Sequence, residues 1–163
     1  MIDFDSLPPE LRRALRESGW GPRRSVDVKP WVEQLSLEGY TSSRQAEEIL
    51  SALGGLVVVP VNSVGPNFTN DEPFNFDPMS AGSGQRELAR EIEDVLGGKY
   101  FPLGEWLSYS SVFVESQGRV VAAGLGWIWE LGATFEDALR LTLLADRPLV
   151  CLHSGAGLAP WPR

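Results

Sequence analysis

The sequence predicts one α+β domain, and three observations carry that prediction. Helix-type spacing of apolar residues dominates the first half, while strand-like runs dominate the second. One stretch, Ser42 to Val61, joins the two kinds of pattern end to end. At 163 residues the chain has the size of a single domain that buries a core without disulfides or metals. Its 43% hydrophobic and 10% aromatic content is that of a folded chain.

In that joining stretch, Ser42 and Gln45 stand at capping-box spacing. Ala46, Ile49, Leu50 and Leu53 follow at i, i+3, i+4 and i+7, one apolar stripe. Gly54 and Gly55 suit the left-handed backbone that ends a helix, and Gly54 is expected there with positive φ. Leu56 to Val59 is then expected as a central, buried strand.

Before this stretch, Pro8 to Ser18 reads as a helix with Leu7, Leu11, Ala14, Leu15 and Ser18 on its inner face. Asp27 is placed to cap a second helix bearing Val28, Trp31, Val32 and Leu35 and ending at Gly39. After Val61 comes a long run of turn formers, of a kind that is often functional, and then a short strand with Phe74 and Phe76 on one face. Ser83 to Leu96 is expected as an amphipathic helix on Leu88, Ile92, Val95 and Leu96. Strands are expected over Phe101 to Tyr109, Ser111 to Glu115 and Arg119 to Ala123, the last two joined at Gln117–Gly118. Thr134 and Asp137 form another capping signature, opening a helix on Phe135, Ala138, Leu139 and Leu143. Residues 149–163 are expected as a C-terminal tail, an edge strand followed by a segment that frays.

The formal net charge of −8 is uneven. Residues 1–30 hold five acids and six bases, the remainder seventeen acids and eight bases. An acidic body repels nucleic acid and attracts a basic protein, although acidity also serves solubility. One cysteine permits no internal disulfide and fits a reducing compartment. The start lacks the basic and apolar regions of a signal peptide, and no apolar run nears the ~20 residues of a membrane span. These features predict a cytoplasmic protein that binds neither membrane nor nucleic acid.

Five stretches in order resemble the SUKH superfamily of immunity proteins, most closely its third subfamily, whose fold is Knr-like. They are Gly19 to Asp27 (GWGPRRSVD), Leu50 to Leu56 (LSALGGL), Tyr100 to Glu105 (YFPLGE), Val112 to Val121 (VFVESQGRVV) and Leu131 to Leu139 (LGATFEDAL). The resemblance implies a mostly antiparallel sheet with helices packed against it, an immunity domain over residues 1–148. It further implies binding and neutralisation of a cognate toxin domain of the nuclease or nucleic-acid deaminase class. No catalytic residue comes with the family pattern.

The residues offer little else that does chemistry. His153 is the only histidine and could share a strand face with Cys151, but a half-buried cysteine beside an exposed histidine is the plainer reading. A-G-S-G-Q, Ala81 to Gln85, is not a nucleophile elbow. Gly124 to Trp129 carries tryptophan where a dinucleotide fingerprint needs its third glycine. One cysteine and one histidine do not make a zinc site, and Asp71 and Glu72 lack the alternating oxygen ligands of a calcium loop. No cofactor and no metal is therefore expected.

Trp127 and Trp129 alternate across Ile128 and are suited either to the core or to a binding hot spot. With Asp71, Glu72, Asp77, Glu105 and Glu130 they form the expected partner-binding set, meeting a toxin surface made basic for its own substrate. The competing readings are a scaffold module and a hydrolase using carboxylates such as Asp71, Asp77 and Glu105.

Overall fold

A computed structural model describes residues 2–61, 65–107 and 109–162. Residues 62–64 of the long loop and Ser108 of an expected strand lie outside it. Among the described residues, six helices accompany a seven-stranded antiparallel sheet, an α+β fold. Strand order follows chain order: β1 Val57–Val58, β2 Phe74–Asn75, β3 Tyr100–Trp106, β4 Ser110–Glu115, β5 Val120–Gly124, β6 Trp127–Gly132 and β7 Val150–Ser154. Three helices precede the sheet, α1 Pro9–Glu17, α2 Lys29–Ser36 and α3 Arg44–Leu53. Between β2 and β3 lie α4 Pro78–Gly82 and α5 Arg86–Leu96, and α6 Phe135–Leu144 links β6 to β7.

The α3 stripe is buried as its spacing requires, with Ala46, Ile49, Leu50 and Leu53 shut off from water. Each large member contributes about 1.5–3 kcal/mol by burial. Its cap is one residue later than expected. Ser43 has extended backbone and its Oγ accepts the Ala46 N–H at 3.2 Å, whereas the Ser42 hydroxyl is buried without a partner. At the other end Gly54 has φ −52° and Gly55 takes the left-handed turn at +85°. Gly54 is glycine for space instead: a Cβ there would stand 2.5 Å from the Leu50 carbonyl and from the Trp31 ring. Arg24 closes this helix end by donating to the carbonyls of Ala52 and Gly54 at 2.8 and 2.7 Å. Those carbonyls have no partner inside the helix, so the guanidinium supplies what the turn cannot.

The strand after this turn is short and lies at the sheet edge, not at its centre. Val58 is buried, but Val57 and Val59 are 50% and 66% exposed. A β-branched run gives strand propensity; it does not decide which strand acquires a second neighbour. In α2 the Asp27 carboxylate accepts the Lys29 N–H, although Val28 holds the cap position. The helix expected over 83–96 begins only at Arg86 and buries Ala89 and Ile92, leaving Val95 41% exposed.

Strands β3, β4 and β5 are buried at nearly every position, so both faces of the sheet's middle are covered. On one side α4 lies along β3: the Ser111 hydroxyl donates to the Ala81 carbonyl, and Tyr40 donates to that of Gly82. Pro102 and Gly104 flank a register shift in β3. Proline is tolerated at such a bulge. At Gly104 a side chain would run into the Asn75 carbonyl, so glycine lets β2 approach.

The residues after β7 are packed against the sheet through Trp161. Residues beyond β7 turn back over β6, where Trp161 packs against Trp127 and Trp129 with centroids 6.1 and 5.8 Å away. The Trp127 Nε1–H donates to the Ala159 carbonyl at 2.9 Å, and the Trp129 Nε1–H to that of Trp161 at 2.6 Å. Buried indoles need an acceptor, and this segment brings two.

Candidate partner-binding face

Of the seven residues expected at a partner surface, the fold gathers Glu72 and Glu105 into one concavity. Asn75 pairs with Glu105 across β2 and β3, which brings the loop carrying Asp71 and Glu72 beside the end of β3. A groove of about 560 Å³ results, lined by Glu72, Glu105, Val57, Pro73, Trp106 and Tyr109. Asp71, the residue before Glu72, is exposed. This loop is anchored: the buried Asn70 amide donates to the Thr142 carbonyl and accepts from the Trp106 indole. Asn67 donates to the Ala145 carbonyl at 2.7 Å. The two acids therefore sit on a supported platform, with little ordering left to do on binding.

Asp77, Glu130 and both tryptophans make contacts inside the chain. Asp77 caps α4, its carboxylate accepting from the N–H groups of Met79 and Ser80 and from the Ser80 hydroxyl. Glu130 is held by Arg119 in a forked pair, with contacts of 3.3, 3.2 and 2.6 Å. That carboxylate raises the Arg119 pKa further, and its own charge is answered locally. Trp129 is 2% exposed beneath Trp161. Trp127 is half-buried at the wall of a second, smaller hollow, with Leu107, Ser110, Leu125 and Trp161.

Sequence reasoning passed over the turns at this end of the sheet. Both the β3–β4 turn and the β5–β6 turn emerge here, because β4 and β5 pair antiparallel. Leu107, Tyr109 and Leu125 have φ of +50°, +62° and +55°, three of the four non-glycine residues with positive φ among those described. A side chain in this region costs on the order of 1–2 kcal/mol. Tyr109 and Leu125 are nevertheless 89% and 73% exposed, so burial does not offset that cost. Gly124–Leu125–Gly126 was legible as a turn; that its middle residue is an exposed leucine was the missed signal.

The segments lining the two hollows carry charge of one sign. No lysine or arginine occurs in 45–85, 100–118, 120–139 or 148–162, the segments that build the two hollows. Among the described residues no group of histidine, cysteine and carboxylates is placed to hold a metal. Cys151 and His153 are both half-buried on β7, the thiol 3.4 Å from the His153 carbonyl and not from its ring. Among the described residues no helix is long and apolar enough to cross a membrane.

A sequence profile for the SUKH-3 immunity protein matches residues 7–145. The chain belongs to the SUKH-3 immunity protein family. Comparison with curated proteins and with solved structures found no match. The stretches that carry the SUKH-3 resemblance are engaged in holding the fold. Gly19 to Asp27 brings the arginine that closes α3 and the Val26 N–H that donates to the Ser51 carbonyl. Tyr100 to Glu105 contains the bulge that admits β2, and Thr134 caps α6 by accepting from Asp137. The exposed residues of the two turns fall between these stretches.

Proposed function

We propose that this SUKH-3 protein neutralises a cognate toxin domain by covering a basic surface on it. The toxin would be of a class that handles nucleic acid, a nuclease or a deaminase. The observation that carries the reading is the supported acidic groove of Glu72 and Glu105, with exposed Asp71 next to Glu72 in the chain, lined by segments of an immunity-family fold that contain no cation. Carboxylates at this spacing meet the lysines and arginines that a nucleic-acid enzyme holds for phosphates, and so compete with its substrate. Neutralisation then needs occlusion and no catalytic step by this chain. The test is co-expression with the C-terminal domain of a toxin encoded beside this gene. Growth should be restored and the two chains should co-elute; a cell that still dies while both chains are soluble would remove the reading.

A further inference from the structure

We infer that the docking surface is the apolar crown formed by Tyr109, Leu125 and Trp161, and that it seats a toxin domain carrying an apolar socket ringed by lysine or arginine. This rests on the reading above. The β3–β4 turn is a ridge between the two hollows: Tyr109 faces the groove of Glu72 and Glu105, while Leu107 and Ser110 line the hollow shared with Leu125 and Trp161. The Ser110 hydroxyl and N–H both bond the Leu107 carbonyl, which ties Leu107 to the start of β4. Trp161 is 47% exposed, and Leu158 at 41% extends the patch.

Three arguments converge on a partner of this chemistry. Large apolar side chains held in the left-handed region at nearly full exposure stabilise nothing within the chain, and such strain persists where it serves a contact. Tyrosine and tryptophan at the centre of a patch are the residue types that act as anchors, because they bury much area at little entropic loss. The flank is acidic, and the segments building it supply no cation that would repel a basic rim. A nucleic-acid enzyme has the basic rim that fits; a second copy of this acidic chain would bring like charge to like.

The variants that test this are Tyr109→Asn and Leu125→Asn. Asparagine tolerates positive φ better than either parent residue, so each variant should fold at least as stably as the parent while losing its anchor. The probe is the catalytically inactivated C-terminal domain of the toxin encoded beside this gene, measured by surface plasmon resonance. Each variant should weaken binding about tenfold or more, mainly through faster dissociation. Parent-like kinetics from both variants, with the parent binding tightly, would overturn the crown and leave the neutralisation reading standing. A parent that does not bind this domain would remove both. Sedimentation of the chain alone supplies the other arm: a dimer dissolved by Tyr109→Asn would make a second copy the occupant and overturn the toxin assignment.

Discussion

At the scale of single residues, the two serines before α3 separate what a motif shows from what geometry decides. Ser42–Gln45 and Ser43–Ala46 are both three apart, and sequence spacing favours the first because glutamine can reach back. The backbone settles on the second, because Ser43 is the residue with extended φ and ψ directly ahead of the helix. Replacing Ser43 by alanine should therefore cost about 1 kcal/mol in urea unfolding. Ser42→Ala should cost nothing or stabilise, since it removes a buried hydroxyl with no partner. Tyr40 offers a pH test. Burial pushes its phenol up to about 12, with the nearby Arg86 opposing this only in part. In the unfolded chain the phenol ionises near 10. A raised folded pKa means its contribution is intact below pH 10 and is lost as pH climbs toward 12. Urea midpoints should thus fall across that window. Tyr40→Phe should start lower, having lost the bond to the Gly82 carbonyl, yet fall less steeply.

At the scale of elements, helices were legible and strand neighbours were not. The α1, α3 and α6 faces follow from 3.6-residue spacing, and Leu11, Leu15, Ile49, Leu53, Leu139 and Leu143 are all buried. Val57–Val58 shows the limit: four hydrophobic residues in a row look central, but an edge strand with one covered face needs only Val58 inside. The seven residues after β7 show another limit. Gly155 to Trp161 reads as a fraying end because it is rich in glycine, alanine and proline. Its purpose emerges only in three dimensions, where its carbonyls meet two indoles 32 residues away. Truncation after Ser154 should leave the helical circular dichroism intact while shifting tryptophan emission to longer wavelength. The same truncation in a Trp129→Phe background should shift it less. An unchanged spectrum would show that the segment does not shield Trp129 in solution.

For the whole molecule, the uneven charge was visible at once, but its arrangement was not. Asp71, Glu72, Asp77, Glu105 and Glu130 are equivalent on paper. Folding gives Asp77 to a helix end and Glu130 to Arg119, and brings Glu72 and Glu105 to one groove. Asp77 bonds groups two and three residues on, whereas the partner of Glu130 comes from another strand end and no local pattern announces it. Changing Asp71 and Glu72 together to lysine should slow association with the toxin domain and flatten its dependence on salt, with dissociation changed less. Equal salt slopes for variant and parent would show that steering comes from another face. The strand order has a separate consequence, for how the chain is made. Each strand pairs with the one synthesised just before it, so the sheet can zip up on the ribosome without waiting for a distant partner. Residues 155–162 come last and close over β6. A chain ending at Ser154 would carry the whole sheet with Trp129 open to water, a folded form with a sticky side that the last residues cover.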